Sequence, residues 1–132
     1  MTVADLLDEP GRRLVAEHVP SVDPRSVRVA PLPDWYRRLV GIEPDAITLG
    51  SRVLVSHRVR RLDRCALTAL LAHELAHVAQ QRAGRLGFSM AYGVAYLVGR
   101  LGGRSHTDAY RAIPAERLAR EVQERVLAAC RD

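Results

Sequence analysis

Two histidines four residues apart, with a glutamate between them, are the part of this sequence best suited to chemistry. His73, Glu74 and His77 lie in the segment LLAHELAHVAQQ, and leucines and valines around them recur at helical spacing. An α-helix has 3.6 residues per turn, so side chains four residues apart lie nearly over one another. The two imidazoles can therefore reach one metal ion, and their nitrogens suit the tetrahedral coordination of Zn²⁺.

Glu74 adds a base to this pair of ligands. It lies one step round the helix from His73, where it cannot easily share the ligand point but can reach a water molecule beside the metal. Helices with the pattern H-E-x-x-H place the general base of zinc metalloproteases at this position. Zinc lowers the pKa of water towards about 7, and the glutamate takes the proton during attack on a carbonyl. The pattern predicts zinc as the cofactor and an endopeptidase acting on peptides or proteins. The alternative is two surface histidines on an amphipathic helix.

A catalytic zinc site needs a third protein ligand and an open coordination position. The longer pattern H-E-x-x-H-x-x-G-x-x-H is absent, because Gln80 and Ala83 stand at its glycine and its third histidine. We expect Glu116 to be the third ligand, since helix packing can point the first turn of the last predicted helix back at the histidines. A first-turn glutamate that only stabilises its helix N-terminus is the alternative. The other possible ligands are, in order, Asp108, His106 and Glu121.

A tyrosine near the same helix is a second catalytic candidate. Tyr110 precedes Glu116 by six residues. Its phenol can donate a hydrogen bond to a developing oxyanion. A packing role explains the same position equally well, so both interpretations stay open.

The elements that must position these residues follow from periodicity and turn residues. The helix that carries the motif is predicted to begin after Asp63, a good N-cap, and to end at Gly84. Residues 86–99 are apolar on several faces and predict a buried helix, with a membrane-surface segment as the alternative. Upstream, the predicted elements are a helix at 3–18 broken at Pro10–Gly11, a strand at 26–30 and a helical turn at 34–40. Residues 46–55 predict either a hairpin that turns at Gly50–Ser51 or one strand with a tight bend there. The last helix begins near Pro114, with an inner face formed by Leu118, Val122, Val126 and Cys130.

Length and composition favour one globular domain over residues 1–132, because 48% of the residues are hydrophobic. The N-terminus lacks a basic segment followed by a long apolar one, and no apolar run is long enough to span a membrane. We therefore expect a soluble, cytoplasmic protein, with export by a route that needs no signal peptide as the alternative. Cys65 and Cys130 match no ligand spacing and are expected to be buried free thiols in a reducing compartment, and a disulfide between them is the alternative.

Charge does not point to a nucleic-acid partner. The net charge is +5, and all 20 basic residues are arginines. A nucleic-acid-binding protein usually clusters such residues on one stripe with aromatics among them. Here they are scattered and aromatics make up only 5% of the residues, so a nucleic-acid ligand is not expected.

Three segments resemble a known family. They are AITLG at 46–50, LLAHELAHVAQQ at 70–81 and AIPAERLA at 112–119. They are similar to the A-[FI]-T-x-G edge strand, the L-L-x-H-E-L-x-H-V-x-Q-Q helix and the N-P-x-E-x-E-A helix of gluzincin-type, zincin-like metallopeptidases. The resemblance is strongest to the small bacterial domain of that kind in extracellular contractile-injection-system proteins.

The resemblance implies an α+β zincin-like fold, in which a small antiparallel sheet packs on a long active-site helix with further helices after it. It also implies His73, His77 and Glu116 as zinc ligands, Glu74 as base, and an edge strand near Thr48 that can pair with an extended peptide. Leu118 stands where the family often has a second acid. Arg120 stands where an aspartate normally orients a zinc-bound histidine, and arginine cannot accept that hydrogen bond. A non-catalytic zincin-like module with a structural or docking role is the competing function.

Overall fold

Helices and strands alternate along the first half of the chain. The computed structural model describes residues 1–40, 44–84, 99–103, 105 and 113–132. The helices are α1 (Val3–Leu6), α2 (Glu9–His18), α3 (Asp34–Val40), α4 (Arg64–Ala83) and α5 (Pro114–Arg131). The strands are β1 (Arg28–Pro31), β2 (Ala46–Leu49) and β3 (Arg52–Val55), and two 3₁₀ turns lie at Pro24–Ser26 and His57–Arg61. This is a small α+β fold, as predicted.

The three strands form one sheet in the order β1-β3-β2. β2 and β3 form the predicted antiparallel hairpin, whose turn contains Gly50 at φ 62°, a left-handed conformation that favours glycine. β1 runs parallel to β3, so the expectation of a purely antiparallel sheet is wrong. The chain passes through α3 and β2 between these two strands, and that connection brings β3 back in the direction of β1.

Helix α4 is the central element of the fold. The Asp63 carboxylate accepts a hydrogen bond from the Ala66 N–H at 2.8 Å, and Gly84 is the C-cap, so both predicted ends are confirmed. Every residue from Thr68 to Val78 is buried, because α5 and β2 both pack against this helix. The motif therefore lies in the interior, which excludes the alternative of two surface histidines.

The predicted first helix is divided earlier than expected. Asp8 caps α2 by accepting a hydrogen bond from the Gly11 N–H at 2.8 Å, so the break lies before Glu9 and not at Pro10–Gly11. Pro10 occupies the second position of α2, where no N–H is needed by the helix. A Cβ at Gly11 would lie 3.1 Å from the Thr68 hydroxyl, so the glycine allows α2 to approach α4 closely.

Helix α5 begins at Pro114, as predicted, but its inner face differs from the predicted one. Glu116, Ala119 and Val126 are buried, whereas Leu118 is 58% exposed. The predicted face assumed apolar residues at a constant spacing of four. The true face includes a carboxylate, Glu116, which apolar periodicity cannot reveal.

The two cysteines form a disulfide. Cys65, in the first turn of α4, is bonded to Cys130, in the last turn of α5, so the expectation of free thiols is wrong. No short-range pattern marks this pair, because 65 residues separate the two cysteines in sequence. The bond joins one end of an antiparallel pair of helices. Disulfides persist in oxidising surroundings. The bonded cysteines therefore do not support the expectation of a reducing compartment.

None of the helices in the described ranges combines the length and apolar character that a bilayer span requires. The predicted buried helix at 86–99 lies almost entirely outside the described residues and stays a prediction.

Candidate metal centre

Three buried side chains meet between α4 and α5. His73 Nε2 lies 2.7 Å from Glu116 Oε1, and His77 Nε2 lies 2.9 Å from Glu116 Oε2. The two Nε2 atoms are 3.2 Å apart. The exposed fractions of these residues are 8% for His73, 7% for His77 and 4% for Glu116. The structure thus brings together the three residues that the sequence and the resemblance selected, although Glu116 is 39 residues from His77.

The donor atoms of this group fit a metal ion. One atom from each side chain can be chosen so that all three lie within 4.8 Å of one another. Two imidazole nitrogens and one carboxylate oxygen form a ligand set that catalytic zinc sites use. Exposed acidic clusters are common without metals, but this group is enclosed, and buried ionisable side chains require compensation by a partner or an ion.

Contacts among His73, His77 and Glu116 shift the pKa values of Glu116 and His77. Burial opposes a negative charge on Glu116, but hydrogen bonds from His73 and His77 outweigh burial and lower the pKa of Glu116 well below its ordinary value. Burial also opposes a positive charge on His77, yet hydrogen bonding and attraction to Glu116 raise the pKa of His77. Glu116 and His77 therefore stabilise each other's charged forms, and a metal ion would compete with a proton for the same His77 nitrogen.

Glu74 lies beside the triad and is held by the sheet. The Thr48 hydroxyl donates a hydrogen bond to Glu74 Oε2 at 2.7 Å and contacts the Glu74 carbonyl oxygen at 3.2 Å. Glu74 is 4% exposed, and burial raises its pKa against the opposing charge of His73 and the hydrogen bond from Thr48. A carboxylate with a raised pKa is a stronger proton acceptor, which suits the predicted role of base.

Gln80 orients His77 and joins the two helices. Its Oε1 lies 2.9 Å from His77 Nδ1, and its Nε2 donates to the carbonyl oxygen of Ala115 at 3.0 Å. An Nδ1–H that donates to Gln80 leaves Nε2 of His77 as the metal-binding nitrogen. The same amide holds the residue that precedes Glu116. Sequence reasoning noted only that Gln80 replaces a glycine, and the Q-Q ending of the resembled helix was the available signal.

Gln81 joins α4 to the β2–β3 turn. Its Oε1 accepts from the Gly50 N–H at 2.7 Å, and its Nε2 donates to the Thr48 carbonyl oxygen at 3.3 Å. The T-x-G and Q-Q segments of the resemblance therefore contact one another directly. Sequence reasoning assigned no function to Gln81 and did not pair Thr48 with Glu74.

Among the described residues, His73 has no orienting partner like the one that Gln80 provides for His77. His73 Nδ1 is buried and has no hydrogen-bond partner in the part of the chain that the structure describes. The resemblance places an orienting aspartate at position 120, where this chain has arginine. A guanidinium group has no acceptor to offer an imidazole N–H. Within the described residues, the two histidines are thus supported unequally, because Gln80 contacts Nδ1 of His77 and no residue contacts Nδ1 of His73.

Of the remaining predicted site residues, only Glu121 lies in the part of the chain that the structure describes, and it is not in this cluster. Glu121, the last alternative ligand, is on α5 and exposed. Tyr110, Asp108 and His106 lie outside the described residues, so the proposed oxyanion contact of Tyr110 stays a prediction.

By its fold and its candidate metal centre, the chain is a small α+β domain in which two packed helices enclose a buried His-His-Glu group. Residues 7–85 match the family model of the eCIS core domain. The match covers more than half of the chain, which therefore belongs to this domain family of extracellular contractile-injection-system proteins. It contains Thr48, His73, His77 and both glutamines, and it ends before Glu116. Searches of curated proteins and of solved structures gave no significant match.

Replacing Gln80 with leucine should weaken zinc binding by about 10- to 100-fold, the usual cost of removing a group that orients a metal-binding histidine. Leucine cannot accept from His77 Nδ1 or donate to Ala115. Chelator competition on the purified protein measures the change. Gln80→Glu, which keeps an acceptor for the imidazole, should recover most of the affinity. Equal affinity of Gln80→Leu and wild type would show that the amide does not orient His77.

Proposed function

We propose that this domain is a zinc-dependent endopeptidase of the gluzincin type with a zincin-like fold. The observation that carries the proposal is the buried group of His73, His77 and Glu116 with Glu74 held beside it by Thr48. His73, His77 and Glu116 are the proposed ligands. A purely structural zinc site has no use for a base, whereas here a second glutamate is enclosed next to the three donors.

Each residue has a separate task in this proposal. Zinc supplies Lewis acidity, which makes water more acidic and polarises carbonyl groups. Glu74 accepts the proton of the attacking water and can pass it to the departing amine. The hydrogen bond from Thr48 fixes Oε2 of Glu74, and the Gln80 amide keeps the His77 ring in place. Burial of all four ionisable side chains limits solvent screening of their charges.

The proposed substrate is an extended peptide. β2 is at one edge of the described sheet, and Thr48 on this strand contacts Glu74. Edge strands bind extended peptides through main-chain hydrogen bonds. A peptide added along β2 would thus pass close to the base, which makes amide-bond hydrolysis the reaction that best suits this arrangement.

A non-catalytic zinc-binding module is the competing proposal. Membership of the eCIS core domain family favours it, because a domain of an injection-system protein can serve as a docking or structural part of a larger assembly. His73 Nδ1, which has no hydrogen-bond partner among the described residues, also departs from the usual support of a catalytic ligand. Both proposals require the same metal site, and they differ only in the use of Glu74.

Cleavage of denatured casein by the zinc-loaded protein, followed by mass spectrometry of the peptides, tests the proposal. Glu74→Gln should lower the rate at least about 100-fold, since general-base catalysis contributes roughly 10²- to 10⁴-fold. Its zinc content should stay that of wild type, because Glu74 is not a proposed ligand. Chelation should abolish cleavage and added zinc restore it. Wild type that binds zinc without cleaving, or cleaves no faster than Glu74→Gln, would leave the non-catalytic module.

A further inference from the structure

The outward-facing main-chain groups of β2 can be identified from the hairpin register. Ser56 N donates to Asp45 O at 2.8 Å, so these two opposite residues form a hydrogen-bonded pair. Such pairs alternate with non-bonded pairs along an antiparallel ladder. Ala46 and Thr48 therefore belong to non-bonded pairs, and their N–H and C=O groups point away from β3. These are the groups that an added strand would use.

The Gln81 side chain already occupies part of this edge. Its carboxamide accepts from Gly50 N–H and donates to Thr48 C=O. The Thr48 C=O is an acceptor, and the Gly50 N–H, two residues further on, is a donor. One residue of a neighbouring parallel strand would form hydrogen bonds with both of these main-chain groups. The side-chain amide thus replaces a peptide unit at the turn end of β2. On the other side of Thr48, the outward groups of Ala46 are not among those that Gln81 contacts.

Arg82 also holds the β2–β3 turn in place, so its contacts distinguish two possible roles of Gln81: stabilising the turn and occupying the β2 edge. Arg82 Nη2 lies 3.3 Å from the Ser51 hydroxyl and 3.1 Å from the Ser26 hydroxyl. Arg82 therefore fastens the turn through side chains alone. Gln81, by contrast, contacts only main-chain groups of the β2 edge in its two hydrogen bonds. Fastening the turn does not require the edge positions to be filled.

We propose that Gln81 is a specificity-determining cap, which lets an extended peptide pair with β2 on the Ala46 side of Thr48 and prevents pairing on the Gly50 side. The proposal rests on the proposed function, because it places the peptide beside the metal centre. Substrate residues that run towards Ala46 gain main-chain hydrogen bonds. Substrate residues that run towards Gly50 lie beside main-chain groups that are already hydrogen-bonded to the Gln81 carboxamide. These residues are therefore recognised without strand pairing.

Two series of peptide hydroxamates test this proposal on the zinc-loaded protein. In each, a zinc-binding hydroxamate carries one to four alanines, on its N-terminal side in one series and on its C-terminal side in the other. Calorimetry measures affinity. The affinity of wild type should rise on the order of threefold to tenfold for each strand-paired residue in one series, because each such residue adds a main-chain hydrogen bond. In the other series, added alanines should not change the affinity of wild type. Gln81→Ala should make the second series gain similarly and leave the first unchanged.

Arg82→Ala is the matched control, because it removes a tether of the same turn without uncovering the β2 edge. It should keep the one-sided pattern of wild type. Gains in both series with wild type, or a second series that stays flat in Gln81→Ala, would overturn the cap. Similar gains in Arg82→Ala would assign the effect to a loosened turn and also overturn it. If even acetohydroxamate fails to bind, the zinc site itself has failed and the cap falls with it.

Discussion

Reduction of the Cys65–Cys130 disulfide is expected to lower the free energy of unfolding by about 4 kcal/mol. The bond closes a loop spanning 65 residues of sequence separation, and the loss of loop entropy in the unfolded chain predicts this magnitude. For a domain of this size, the melting temperature should fall by roughly 10 to 20 °C. The effect is large because marginal domains have only about 5–15 kcal/mol of stability in total.

Thermal melts followed by circular dichroism, with and without reductant, measure this change. The double variant Cys65→Ser/Cys130→Ser should melt near the reduced wild type and should not respond to reductant. The disulfide joins the first turn of α4 to the last turn of α5, whereas the His73–Glu116 contact joins the middle of α4 to the first turn of α5. Zinc should therefore raise the melting temperature of the reduced protein by holding the two helices together at the second of these contacts. Equal melting of oxidised and reduced wild type would contradict the stabilising role of the disulfide.

Local patterns were sufficient to predict the helix that carries the motif. Asp63 and Gly84 mark its ends through their own backbone and side-chain chemistry, and the spacing of His73 and His77 follows from helical geometry alone. The turn at Gly50 was predicted in the same way, from a glycine between two β-rich segments. These features depend on residues close in sequence, where propensity and capping are informative.

Features that depend on distant residues were not predictable in this way. The Cys65–Cys130 pair and the parallel pairing of β1 with β3 depend on how whole elements pack. Glu116 was selected from its place in a helical first turn and from the resemblance, and several other acids stayed open. Its contact with both histidines appears only when α5 packs on α4.

The support of the site was also hidden in the sequence. Thr48, Gln80 and Gln81 are polar residues without a spacing that indicates chemistry. Their roles appear in the structure as hydrogen bonds to Glu74, His77 and Gly50. Because a glutamine amide can donate and accept at once, two adjacent glutamines join α4 both to α5 and to the hairpin. A sequence pattern gives their positions but not their partners.

Loss of zinc from His77→Ala and from Glu116→Ala is the second large effect expected. Each variant removes one of three proposed ligands, which should cost more than the 10- to 100-fold of losing an orienting group. Each also removes one of the buried partners of the remaining ionisable residues, so circular dichroism must show that the variants are folded. Glu121→Ala is the matched control, because it removes an exposed carboxylate from the same helix.

Metal content of the purified proteins, measured by plasma mass spectrometry after reconstitution and dialysis, tests the metal centre most directly. We expect about one zinc ion per chain in wild type and in Glu121→Ala, as the proposed function requires. Folded His77→Ala and Glu116→Ala should each retain less than about a tenth of that amount. Wild type without zinc, or Glu116→Ala with its full zinc content, would contradict the assignment of His73, His77 and Glu116 as the ligands.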